Sequence, residues 1–322
     1  MIERLILGRT RTMRQFRLSY LLIAVVLVFG GYFILFRRGE DNKIHRMPIA
    51  IREMESVEIK VDNSLWLKTY PMPIALREMK KFEYPNSYSE LFHLYHSKIL
   101  RKSFNCKQMR RFGNVGDGGW EICFDEPFTL HRRKCLVYSF GIANDYSFDD
   151  SVAEELNCEI HSFDPSINQV DYKRGKYISF HNLGVGGTNG MNTMGWKILT
   201  VASIMKALGH ENMIIDYLKI DVESNEWDTF EQMIKAGTFS HVRQLGVEYH
   251  LNKANISNAE YVKKHMNELR RHLTIFDNLE LDGFKIYHFH TNMQAPTYVS
   301  SLTGKAERCC QEIYYVNTRM IR

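Results

Sequence analysis

The residues most capable of chemistry fall just after runs of apolar residues. Gly141-Ile142-Ala143-Asn144-Asp145-Tyr146-Ser147 follows Cys135–Phe140, and Asp164-Pro165-Ser166 follows Cys158–Phe163. Lys219-Ile220-Asp221-Val222-Glu223 closes Met213–Val222, and Glu248-Tyr249-His250 closes the run that starts at Val242. Gly141 permits a sharp backbone turn beside a ligand. An acidic residue about 20 residues past the first loop, as Asp164 is, is placed to accept hydrogen bonds from ribose hydroxyls. Residues i and i+2 of a strand share a face, so Asp221 with Glu223, and Glu248 with His250, are expected to project in pairs. Glu223, Glu248 and His250 are the candidate general bases, since carboxylate and imidazole both accept a proton from a hydroxyl nucleophile. Asp221 and Glu223 have an alternative role as caps of the following helix, where carboxylates favour the N-terminus. Asp221, Glu248 and His250 are chemically able to hold a divalent ion, but the reading taken here has no metal.

Positioning these groups at strand ends requires an alternating fold. Beyond residue 101, strands are expected at Cys135–Phe140, Cys158–Phe163, Tyr177–Leu183, Met213–Val222, Val242–Tyr249, Phe284–His290 and Glu312–Val316. Helices are expected at Asp149–Leu156, Leu199–Leu208, Glu226–Ala236 and Ala259–His272, with an amphipathic helix over Ser87–Leu100 leading in. The alternation predicts a doubly wound α/β fold, a mostly parallel sheet with helices on both faces. Such sheets bind ligands beyond the carboxyl ends of their strands, where strand order reverses. A nicotinamide-dependent dehydrogenase would need GxGxxG after the first strand, which Gly141 onward does not supply. The glycine-rich run Gly184–Gly195 lacks the GK[ST] ending of a phosphate loop and reads as a flexible loop.

The strings Gly116-Asp117-Gly118-Gly119-Trp120-Glu121, Leu136–Asp149, His161–Ser166 and Leu218–Glu223 together resemble the methyltransferase-like protein 24 family, within the FkbM-type class I methyltransferases. The resemblance covers roughly residues 105–320. It implies a Rossmann-like, seven-stranded sheet with an antiparallel last strand, S-adenosylmethionine as cofactor, and methyl transfer to oxygen, often of a sugar. Carried over by position, Gly141, Asp145 and Ser147 would line the methionine part of the cofactor. Asp164 would hold the ribose, Asp221 would stand near the methionine amine or the acceptor, and Asp117 would help close the site. The GxGxG loop common in class I enzymes is reduced here to Gly141, which leaves a catalytically inactive cofactor-binding module as the alternative function.

Further toward the N-terminus, Leu18–Phe36 carries no charge, and roughly 20 apolar residues suffice to cross a ~30 Å hydrocarbon core. It is read as an uncleaved single-pass anchor, with residues 1–17 as a cytoplasmic tail, 37–100 as stem and leading helix, and 101–322 as the methyltransferase-like domain. Arg4, Arg9, Arg11, Arg14 and Arg17 before the span give a small positive-inside bias toward a type II orientation. The expected location is the secretory pathway, with the Golgi as the compartment and a glycan or small molecule as acceptor. The sequon Asn255-Ile256-Ser257 fits lumenal exposure. Met47–Met54 and Met72–Met79 form a near repeat, too short for a solenoid. Net charge is +5, with many basic residues in the N-terminal third, so no nucleic-acid surface is indicated. Cys106, Cys123, Cys135, Cys158, Cys309 and Cys310 lack metal-ligand spacing and are open to two readings, buried thiols or one or two disulfides in an oxidising compartment.

Overall fold

A computed structural model describes residues 76–251, 258–292 and 309–321, together with the backbone of 36–38, 44–46, 297–299 and 306–308. The expected anchor at 18–36 lies outside the described residues except for Phe36, as do the first repeat copy and the sequon. Among the described residues, no helix is long and apolar enough to cross a membrane. The chain divides into two units, residues 1–60 and 61–322. In the first, β1 (Phe36–Arg38) pairs antiparallel with β2 (Ile44–Arg46).

The second unit begins, among described residues, with an extended segment and α1 (Tyr88–Ile99). Ser87 caps α1 by accepting from the Glu90 N–H, and Leu91, Phe92, Tyr95 and Ile99 recur at helical spacing and are all buried. The expected leading helix therefore exists, but it is built into the domain core and does not stand apart as a stem. Arg77 N–H donates to the Lys235 carbonyl at 2.8 Å, and Asn278 brackets Lys80 through both its N–H and its C=O. This packing carries the domain's N-terminal limit back from 101 to at least Arg77.

Next come β3 (Met109–Phe112) and β4 (Trp120–Cys123), an antiparallel hairpin; then β5 (Leu136–Phe140), α2 (Ser147–Leu156), β6 (Glu159–Phe163), β7 (Tyr172–Arg174) and β8 (Ile178–His181). The short strands β9 (Gly184–Val185), β10 (Gly190–Met191) and β11 (Lys197–Leu199) form a small sheet of their own. The glycine-rich run thus has ladder structure where a flexible loop was expected, because Gly184–Val185 pairs parallel with Ile198–Leu199. Then follow α3 (Val201–Leu208), β12 (Ile215–Ile220), α4 (Glu226–Ala236), β13 (Val242–His250), α5 (Ala259–Leu281), β14 (Phe284–Thr291), β15 (Thr297–Val299), β16 (Ala306–Arg308) and β17 (Cys310–Asn317). Helix α5 runs well past the expected end at His272, since Leu269, Leu273, Phe276 and Leu279 continue one buried stripe.

The main sheet has eight strands in the order β14-β17-β13-β12-β5-β6-β8-β7. Strands β13, β12, β5, β6 and β8 are parallel. β17 runs antiparallel between β13 and β14, and the extra edge strand β7 runs antiparallel to β8. Seven strands were expected; the eighth is β7, too polar and short to read as a strand. Both faces are covered. Leu136, Tyr138 and Phe140 point to a core shared with α1, α3, α4 and α5, while Val137 between them points to α2 and the β3–β4 hairpin. Five central strands with every residue of β5 and β12 buried are what a sheet covered on both faces demands.

The hairpin takes the place of a covering helix on the second face. Gln244, fully buried in β13, accepts from Cys123 N–H at 2.9 Å and donates to the carbonyls of Cys123 and Phe128. Tyr217 and Tyr287 each donate a hydroxyl to the Glu121 carbonyl at 2.8 Å. All six cysteines are paired, as Cys106–Cys123, Cys135–Cys158 and Cys309–Cys310. The disulfide reading therefore holds over the buried-thiol one.

Candidate functional site

Strand order reverses between β5 and β12, so the crevice of this sheet opens where Phe140 and Ile220 end. There the two chains touch. Asp221 N–H donates to the Phe140 carbonyl at 3.2 Å, and Gly141 N–H donates to the Phe163 carbonyl at 2.9 Å. Gly141 has φ +73°, and a Cβ on it would lie less than 3.0 Å from the Asp221 carbonyl oxygen. Only glycine fits this approach. Gly141 and Asp221 thus meet at the crevice, and Asp164, next after Phe163, flanks them on the same edge.

Asp164 is buried, and its carboxylate already has partners. One oxygen accepts from Ala143 N–H at 2.8 Å; the other accepts from Ser166 N–H at 2.8 Å and Ser166 Oγ–H at 2.6 Å. It ties the loop after β5 to the end of β6. Asp145 and Ser147 are likewise engaged. Asp145 Oδ1 caps Ser147 N–H at 2.8 Å, and its Oδ2 accepts from Asn114 Nδ2 at 2.9 Å. Ser147 Oγ donates to the Gly118 carbonyl at 3.1 Å. Both side chains seat the turn of the β3–β4 hairpin on the N-terminus of α2. Asp117, in that turn, is exposed and accepts only from Gly118 N–H at 3.0 Å.

The candidate bases lie on the other side of Gly141. β12 ends at Ile220, so Asp221 and Glu223 stand beyond the strand and the expected i, i+2 pairing does not govern them. Glu223 and Ser224 both have positive φ, 50° and 78°, an uncommon conformation for residues with a side chain. The loop nevertheless delivers both carboxylates to one imidazole. His250 Nε2 lies 3.9 Å from Asp221 Oδ1 and 3.5 Å from Glu223 Oε2. Asn225, not either carboxylate, is the cap of α4. Glu248 and His250 share a strand face as expected, and Asn292 donates to Glu248 at 3.2 Å.

Four residues to which the sequence assigned no role, Glu226, Trp227, Lys219 and Asp149, surround this cluster. Glu226, the first residue of α4, is fully buried and accepts from both His250 N–H at 2.8 Å and His250 Nδ1 at 3.2 Å. Trp227 Nε1–H holds the His250 carbonyl at 3.0 Å. Lys219, buried in β12, donates to the Gly141 carbonyl at 2.8 Å and lies 5.0 Å over the Trp120 ring. Near it, Asp149 is fully buried and accepts from Ser162 Oγ–H at 2.7 Å and Ser139 Oγ–H at 3.3 Å. Alternation gave no signal for Lys219, inside an apolar run, or for Glu226, at a helix start.

Burial pushes the Asp149 carboxyl up to about 6 against the pull of Lys219. Burial, with the charge of Asp221, lifts Glu248 to about 8. Asp221 and Glu312 are also raised by burial. Burial pulls His250 down, but Glu226, Glu248 and Asp221 outweigh it and hold the imidazole at about 9. At neutral pH His250 is therefore a cation, and Glu248 at about 8 is the candidate base placed to exchange a proton near working pH.

Residues 52–302 match the family described as methyltransferase domain. Two relatives, the human and rat proteins described as probable methyltransferase-like protein 24, are each 26% identical over 62% of this chain. The chain spans 56% of either relative's own length. The solved structure of methyltransferase FkbM from Methylobacillus flagellatus KT aligns with a TM-score of 0.34 at 10% identity, over 56% of this chain and 43% of that one. That likeness is too slight to carry an argument.

Proposed function

The chain belongs to the methyltransferase-domain family, and from that premise we propose that it binds S-adenosylmethionine and moves its methyl group to the hydroxyl of a glycan or a similar acceptor. The observation that carries the reading is the meeting of Gly141 with Asp221 at the strand-order reversal, beside Glu248 and His250. Bound S-adenosylmethionine would supply a methyl group on a positively charged sulfur. Asp221 and Glu223 would hold positive charge at the edge of the sheet. Glu248 is the base we favour. It would take the proton of the acceptor hydroxyl. His250, protonated at neutral pH, serves as the fixed charge that keeps Asp221, Glu223 and Glu248 together. Asp164, Asp145, Ser147 and Asp117 remain the proposed frame of the cofactor pocket, reached through the loops they tie.

Three disulfides are consistent with an oxidising compartment. Together with the uncharged stretch 18–36, they support a single-pass type II protein of the secretory pathway, acting in the Golgi lumen. The test is calorimetry of the purified full chain with S-adenosylmethionine, followed by transfer of labelled methyl to a panel of glycans. Absence of binding overturns the proposal.

A second reading draws on Asp164, whose carboxylate oxygens both already accept from the protein. On that reading the domain binds the cofactor without turnover. Binding with no transfer to any acceptor on the panel would favour it.

A further inference from the structure

A second polar cluster runs from the start of β6 to the end of β8, and its side chains take no part in the chemistry above. Glu159 and His161 are i and i+2 on β6 and share a face. Glu159 opens that strand, four steps of about 3.3 Å before Phe163, which adjoins the cofactor edge. His161, His181 and His210 are all buried. His161 Nδ1 lies 2.9 Å from His181 Nε2, and His181 Nδ1 lies 3.3 Å from Asp171 Oδ2. His161 Nε2 lies 3.1 Å from Glu159 Oε1.

This chain has a carboxylate at each end and two imidazoles between. Its three contacts each need one hydrogen, and two neutral imidazoles carry one N–H apiece. One contact is short of a positive centre. Starting from Asp171, which only accepts, His181 donates from Nδ1 and so accepts at Nε2. His161 then donates from Nδ1 and turns its Nε2 lone pair toward the Glu159 carboxylate; in the reverse tautomer set His161 donates to Glu159 and the missing hydrogen falls at Asp171. A proton could fill either gap by itself, but a third donor faces the Glu159 oxygen. His210 Nε2 stands 3.9 Å from Glu159 Oε1, while its Nδ1 meets the Tyr138 hydroxyl at 2.8 Å.

We propose that Glu159, His161 and His210 form a divalent metal site of the zinc class. Their three ligand atoms lie within 4.8 Å of one another. Nitrogen and oxygen ligands at about 2.0–2.2 Å from a tetrahedral zinc stand roughly 3.3 Å apart, which the 3.1 and 3.9 Å separations bracket. Two imidazoles and a carboxylate suit zinc in hardness and number, leaving a fourth position open. Each ligating histidine has an outer partner on its other nitrogen, His181 backed by Asp171 for one and Tyr138 for the other. Such partners orient imidazoles toward a metal. Of the three ligands, Glu159 also lines a groove of about 840 Å³ with Lys173, Lys176 and Tyr177. This site is independent of methyl transfer.

The test strips the purified full chain with a chelator, dialyses it against dilute zinc, and counts metal by mass spectrometry. The wild type and H250Q should each hold one zinc per chain, and the H161Q/H210Q double variant none. A wild type that holds no zinc, or a double variant that holds as much as the wild type, overturns the site. Should the double variant fail to fold, cobalt is titrated into the stripped wild type instead. Visible absorption of tetrahedral cobalt is then expected, and its absence overturns the proposal.

Discussion

The carbonyl oxygen of Asp221 stands where any side chain at position 141 would begin. The contact joins the loops after β5 and β12, so the shape of the proposed cofactor edge depends on a missing Cβ. G141A should therefore fail twice. The residue would have to hold φ +73° and displace a backbone carbonyl. Together these should destabilise the domain by on the order of 2–4 kcal/mol. Thermal melting reads the loss, and calorimetry should show S-adenosylmethionine binding at least about tenfold weaker. A G141A protein with wild-type affinity would remove this loop from the site.

Glu248 is predicted to set the pH dependence of transfer. Its carboxyl titrates at about 8, so the fraction able to take a proton grows as pH rises through that value. The rate of the wild type should climb between pH 7 and 9. E248Q should lose about 10²- to 10⁴-fold, the usual contribution of a general base, and become flat over the same range. An unchanged pH profile in E248Q would move the role to Glu223.

His250 is predicted to stabilise the fold below neutral pH. Its folded value, about 9, exceeds the ordinary 6.5. The protonated form is favoured by folding, so this stability is fully present below pH 6.5 and is lost as pH rises through about 9. H250Q should therefore be less stable than the wild type by about 3 kcal/mol at pH 6, with the gap shrinking above pH 9. Chemical denaturation at the two pH values checks the sign. A gap that widens at high pH would contradict the assignment of Glu226 as its partner.

The Cys135–Cys158 bridge closes a loop across a separation of 23 residues and ties the approaches to β5 and β6. On the chain-entropy account, such a loop contributes about 3 kcal/mol. C135S/C158S should lower the midpoint of unfolding accordingly, and a reducing agent should lower the wild type but not the double variant at this bridge. Equal midpoints for the oxidised wild type and C135S/C158S would mean the bridge does not form.

Long apolar runs made the parallel strands legible. Leu136–Phe140 and Ile215–Ile220 are buried on both faces, and such strands show as unbroken hydrophobic stretches. The β3–β4 hairpin was not readable, because Met109-Arg110-Arg111-Phe112 places two arginines in a four-residue strand whose first three residues are not buried. Asp221, Glu223, Glu248 and His250 were legible as a group from their place after strands. Their mutual geometry was not, since it depends on left-handed backbone at Glu223 and Ser224 and on Glu226 reaching back from α4. Pattern along a chain reports which face a residue takes within an element. It says nothing of how a loop between elements turns.

The antiparallel strand β17 lies between β13 and β14 and hydrogen-bonds to both. Without the stretch from Cys310 to Asn317, β14 is therefore cut off from the six strands β13 to β7, which pair without it. A chain interrupted before Cys310 would expose two strand edges at once, the condition under which sheets pair with other molecules.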